Sequence, residues 1–129
     1  MTSRLTPARV LSVAPRLALE VPDESMNRVF PFGGTVICVP VPACPHKIAA
    51  GDRVIVHTRR NGKLKVLCRE VVGRGSDFYL VPRSNDPRFR EELRWHPRAV
   101  LRWGVPAVGE EEDLSDGPRI VAVVVGYYL

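Results

Sequence analysis

Arg53-Val54-Ile55-Val56-His57-Thr58-Arg59-Arg60-Asn61-Gly62-Lys63-Leu64-Lys65-Val66-Leu67-Cys68-Arg69-Glu70-Val71-Val72 is the stretch whose reading decides the fold. Two β-rich runs flank a single Asn-Gly pair. Asn-Gly between such runs is the strongest short-range hairpin signal, because a type I′ turn needs two residues that tolerate positive φ. A two-residue turn also fixes the register. Thr58 then faces Lys65, Val56 faces Leu67, and Val54 faces Arg69.

Further strands follow on both sides of this hairpin. Gly73-Arg74-Gly75-Ser76 reads as the next turn and residues 77–81 as the next strand. Upstream, Leu17, Leu19 and Val21 alternate with Ala18 and Glu20, giving a short strand that enters Pro22-Asp23-Glu24. Residues 25–32 read as one helical turn, ended by Pro31 and Gly33-Gly34. Residues 35–39 are β-branched and apolar, hence a strand, and residues 40–50 are a proline-broken connection. Downstream, residues 84–116 read as irregular, with one helical turn at 88–93 and a short strand at 99–103. Glu110-Glu111-Glu112-Asp113 reads as a solvated loop, and residues 120–128 as a final buried strand. Pro7 and Pro15 block any long helix at the start, so residues 1–16 are expected to be an extended arm and residues 17–129 one mostly-β domain.

The composition agrees with one such domain. The chain has 129 residues, 45% apolar and 26% charged, which excludes wholesale disorder. Twelve Pro and ten Gly are many for a helical bundle and ordinary for a fold of hairpins. No apolar run approaches the roughly 18 residues of a membrane span, so no membrane association is expected. Three cysteines without a framework spacing fit a reducing, cytoplasmic setting. The net charge is +5, and all of the excess lies in residues 1–64, which carry nine Lys/Arg against four acids. It is mostly dispersed arginine, short of a nucleic-acid footprint.

The order of these pieces resembles the self-cleaving domain of LexA-type and lambda-type phage repressors, which is related to signal peptidases. The pieces are Leu19-Glu20-Val21-Pro22-Asp23-Glu24-Ser25-Met26, Gly33-Gly34-Thr35-Val36 and Gly51-Asp52-Arg53-Val54-Ile55-Val56. Leu80-Val81-Pro82-Arg83-Ser84-Asn85-Asp86-Pro87 and Ile120-Val121-Ala122-Val123-Val124-Val125-Gly126 complete the set. The resemblance covers residues 17–89 and 119–127. It implies a small LexA/signal-peptidase-like β-barrel built of hairpins with few short helical turns, and a serine nucleophile paired with a lysine base. A serine hydroxyl is a poor nucleophile until a base takes its proton. A lysine serves as that base only when burial lowers its pKa toward neutrality.

Ser25 occupies the nucleophile position in this comparison. The base position falls on the return arm opposite Val54, which is Arg69. Arginine keeps its proton in proteins, so it is no general base. Lys65 is the alternative base. It lies on the same face but four residues away, about 13 Å along a strand, and would serve only in a different hairpin register. The family usually cleaves its own chain upstream of the serine, often at Ala-Gly. The upstream arm has none, and the one Ala-Gly is Ala50-Gly51 at the hairpin entrance. Gly34 stands where the family usually has Asp.

Other residues have plainer readings. Arg69 is expected to pair with an acid such as Asp23 or Glu24. His57, between Val56 and Thr58, reads as a hairpin surface residue. Cys38, Cys44 and His46 match no zinc spacing, so no metal or other cofactor is expected. Trp95 and Trp103, among Arg94, Arg98 and Arg102, read as packing residues more readily than as base-stacking ones.

The expected role is that of a LexA/phage-repressor-like C-terminal domain with weakened or lost self-cleavage, acting in dimerisation or partner binding for transcriptional regulation. The rivals are an active Ser/Lys autopeptidase using Ser25 and Lys65, and a small β-barrel adaptor without peptidase heritage. The resemblance implies a homodimer paired through the last strand, with Tyr127 and Tyr128 as interface candidates. The residues before the first strand are too few for a helix-turn-helix, so DNA contact is expected only through a domain not in this chain.

Overall fold

The hairpin turn forms on Asn61 and Gly62, whose φ angles of 52° and 76° are the left-handed pair of a type I′ turn. The computed structural model describes residues 16–21, 23–41, 47–96 and 117–128. Within them lie β1 (Leu17–Glu20), β2 (Thr35–Pro40), β3 (Arg53–Arg60), β4 (Lys63–Arg74), β5 (Asp77–Val81), β6 (Leu93–Trp95) and β7 (Arg119–Tyr128). Pairing across the turn follows the expected register, with Thr58 opposite Lys65, Val56 opposite Leu67 and Val54 opposite Arg69.

The strands form one antiparallel sheet in the order β1-β2-β7-β3-β4-β5-β6. Its edges are β1 and β6, and no described pairing joins them. β7 lies inside the sheet between β2 and β3 and carries two bulges. Its register against β2 skips Val125, and its register against β3 skips Val121. Bulges sharpen local twist, and the sheet carries two buried apolar clusters, reached from opposite faces of β3. Along β3, Val54 and Val56 pack with Ile120 and Leu80, while Ile55 packs with Met26, Phe30 and Cys68. This burial on both sides accounts for the unbroken apolar run there, where a half-exposed strand would alternate.

Two local expectations are corrected. The helical turn expected at residues 88–93 is absent. Asp86 closes a short turn by accepting from the Arg88 and Phe89 amides at 2.9 and 3.0 Å. The chain then extends as β6, which buries Trp95 against Phe78 with ring centroids 5.8 Å apart. Burial of a large aromatic outweighs weak helix propensity over so few residues. β4 also runs two residues past Val72, so the next turn is the tighter Gly75-Ser76, with Gly75 at φ 63°. The expected arm over residues 1–16, the strand at 99–103 and the acidic loop at 110–113 lie outside the described residues, except that Arg16 is described as exposed.

The last strand differs from expectation in one side chain. Tyr127 folds back over the chain instead of facing solvent. Its ring lies 5.4 Å from that of Phe30, and its hydroxyl donates to the Pro31 carbonyl at 3.3 Å. Gly34 makes room for it, since a Cβ there would lie 2.3 Å from the Tyr127 hydroxyl oxygen. Gly34→Ala therefore displaces the ring and should cost on the order of 1 kcal/mol. In a Tyr127→Ala background the same change should cost nearly nothing, a coupling that urea unfolding of the four variants measures.

Candidate functional site

Ser25 sits on a turn held from both sides. Asp23 Oδ1 accepts the Ser25 amide at 2.9 Å, which starts the turn as an Asx motif. The Met26 carbonyl accepts from the Val29 and Phe30 amides at 2.9 and 2.7 Å, closing the single helical turn the sequence suggests. The Met26 side chain is sunk in the core and anchors the turn.

The segment after β5 provides the second hold. The Arg83 amide donates to the Ser25 carbonyl at 2.9 Å, and the Arg28 amide donates to the Arg83 carbonyl at 3.0 Å. The Asn27 amide group donates to Asn85 Oδ1 at 2.9 Å, and the Asn85 backbone amide returns a bond to Asn27 Oδ1 at 3.1 Å. Arg83 in turn donates to Glu70 Oε2 at 2.8 Å from Nη2, and Arg53 Nε donates to Glu70 Oε1 at 3.2 Å. Burial works to raise the Glu70 pKa, but the bonds and charges of Arg83 and Arg53 hold it below its ordinary value.

Arg69, beside Glu70 on β4, meets Ser25. Its Nη1 donates to Ser25 Oγ at 2.9 Å and to the Cys68 carbonyl at 2.7 Å. The side chain is only 4% exposed, and its Nε is buried with no acceptor. The ion pair expected with Asp23 or Glu24 does not form. Asp23 is the acid whose charge acts most on Arg69, yet no carboxylate among the described residues is in ion-pair contact with it. The Asp23 carboxylate is turned to the Ser25 amide instead. Burial lowers the Arg69 pKa, but a guanidinium stays protonated throughout the working range of a protein. Lys65 is exposed opposite Thr58, in the register that leaves it four residues from Arg69.

The polarity of the pair follows from these contacts. Ser25 Oγ accepts from Arg69 and, among the described residues, donates to no acceptor. Ser25 is one wall of an open, mainly apolar groove of about 120 Å³, which Leu19, Val21, Ile55, Leu67 and Cys68 also line. Two strand edges flank it. Among the described residues, β1 pairs only with β2, and the 63–69 part of β4 pairs only with β3.

The two described thiols are unreactive near neutrality. Burial pushes the Cys38 thiol up to about 11 and the Cys68 thiol up to about 12, so both stay protonated near neutrality. His57 is half-buried opposite Val66, and Trp95 is a core residue. Cys44, His46, Arg98, Arg102 and Trp103 lie outside the described residues, among which no three His, Cys, Asp or Glu are grouped to hold a metal. No described helix is long and apolar enough to cross a membrane. Comparison with protein-family models and with curated proteins found no match to the chain.

The sequence did not point to Glu70 or Arg83. Its only signal was the Ser84-Asn85-Asp86-Pro87 turn, which places Arg83 beside the serine. The lowered Glu70 pKa has a definite stability consequence. A depressed carboxylate contributes stability above the unfolded value of about 4.3 and loses it as pH falls through the folded one. Glu70→Gln should therefore cost up to about 1 kcal/mol at pH 7. The gap from the parent should close as pH falls below about 4, in urea titrations run across pH.

Proposed function

We propose that this chain is a LexA/phage-repressor-like C-terminal domain that has kept the serine turn and lost efficient self-cleavage. Its work is homodimerisation or partner binding in transcriptional regulation, in the cytoplasm. Any DNA contact comes through a separate helix-turn-helix head. In this reading the sheet is the family's small barrel, with the groove between β1 and β4 as its open seam. The observation that carries the proposal is the 2.9 Å bond from Arg69 to Ser25, at the two positions where the order of motifs calls for a base and a nucleophile.

The chemistry then decides against turnover. Acyl transfer needs the serine proton to leave as the bond to the carbonyl forms. Lysine in that seat accepts it after burial has lowered its pKa. Arginine has no lone pair to offer, and loss of a general base typically costs about 10²–10⁴ in rate. Support for association comes from the end of β7, where Val125 and Tyr128 are 47% and 54% exposed. Exposed apolar side chains grouped on one strand end favour an interface.

Intact mass after long incubation at alkaline pH is the test of inertness, and the parent protein should remain whole. Arg69→Lys restores a tunable base, and should slowly cut an added peptide that carries Ala-Gly. Cleavage by the parent that both Ser25→Ala and Lys65→Ala abolish would instead establish the Ser25/Lys65 autopeptidase. Light scattering at micromolar concentration should show a dimer that Tyr128→Glu weakens. A monomer alone would count against the association role.

A further inference from the structure

The Ser25–Arg69 pair has its hydrogen-bond direction reversed relative to a nucleophile and its base. A base would accept from the serine; Arg69 donates to it. The serine proton is thereby left over, on a hydroxyl that lines the groove. Behind it, one hydrogen bond away, lies a positive charge that is only 4% exposed and that, among the described residues, donates to two neutral acceptors. A buried cation with a spare donor, Nε, is the environment in which an anionic oxygen gains most.

We propose that Ser25 and Arg69 form a receptor for the terminal carboxylate of an extended peptide bound in the groove. Such a role deepens the inert-dyad function proposed above and rests on it. The carboxylate accepts from Ser25 Oγ–H, and the Arg69 charge compensates it from behind. The chain leading to the carboxylate lies along the apolar wall of Leu19, Val21 and Leu67, where the edges of β1 and β4, unpaired among the described residues, offer backbone groups to an added strand. Charge selects this occupant over an internal peptide bond. An amide carbonyl takes the hydroxyl proton equally well but leaves the guanidinium without an anion. Glu20 and Asp23 also line the groove and oppose a carboxylate. Asp23 is nearer the pair and is held by the Ser25 amide, so its charge is the one that limits affinity.

Binding of acetyl-Val-Thr-Val-Ala with a free carboxylate, against the same peptide as its C-terminal amide, tests this by calorimetry on the unmodified chain. The free acid should bind about 10-fold or more tightly, as expected for a charged hydrogen-bonding partner. An amide-capped peptide ending in Asp is the third arm, and should bind no better than the plain amide if the terminus itself is read. Asp23→Asn keeps the acceptor for the Ser25 amide and removes the opposing charge. It should tighten the acid several-fold and leave the amide unchanged. Ser25→Ala should bring the acid-to-amide ratio close to one. Equal binding of acid and amide by the unmodified chain, or binding of neither, overturns the carboxylate receptor while leaving the inert dyad intact. Preference for the Asp-ended amide overturns it in favour of a side-chain carboxylate. Self-cleavage of the parent chain is a separate result, read by mass, and removes the inert dyad itself.

Discussion

A guanidinium buried beside a serine hydroxyl at 2.9 Å is the contact around which this molecule is arranged. Burying a cation is costly unless polar partners surround it. Arg69 has two acceptors, one of them its neighbour's carbonyl and the other the hydroxyl of a turn 44 residues upstream. The turn must therefore be held firmly, and much of the local structure serves that end. Asp23 caps it, Met26 anchors it, and the Arg83–Asn85 segment clamps it through backbone and side-chain bonds. Glu70 joins the clamp to β4, since it accepts from Arg83 while following Arg69 in the strand.

Much of this was legible in local sequence, and the reason is geometric. The type I′ turn on Asn61-Gly62 sets a register that no later packing alters, and the register alone carries Arg69 to the position opposite Val54. β5 is similarly bounded by a glycine turn and matches its expected limits. What stayed hidden depends on contacts between distant segments. Nothing near Trp95 announces that it will pair opposite Phe78, and the helical expectation for residues 88–93 fails for that reason. Tyr127, near the end of an apolar terminal strand, reads as exposed, whereas its position depends on the absent side chain of Gly34. Asp23 and Glu24, the acids beside Ser25 in sequence, are the expected counter-ions of Arg69. The structure instead commits Asp23 to the turn, so the guanidinium is left with neutral acceptors.

On the proposed reading, an arginine where the family has a lysine changes what the groove could do. A lysine in this seat is a proton acceptor when desolvated, and it makes the serine an attacking group. An arginine is a permanent donor, and it makes the serine a donor too. On that reading the scaffold needs no alteration for the reversal, because the serine turn, the return arm and the apolar walls would suit binding as well as catalysis. Both thiols in the adjoining core are held protonated by burial, so neither offers a substitute nucleophile near neutrality.

The polarity of Ser25 is the central claim, and its reactivity toward a fluorophosphonate probe tests it most directly. The probe phosphonylates serines whose proton a neighbouring base removes, with fluoride as the leaving group. Intact mass after prolonged exposure should show the parent chain unlabelled and Arg69→Lys labelled at Ser25. Stoichiometric labelling of Ser25 in the parent chain would mean that a base does reach the hydroxyl, and would contradict the account.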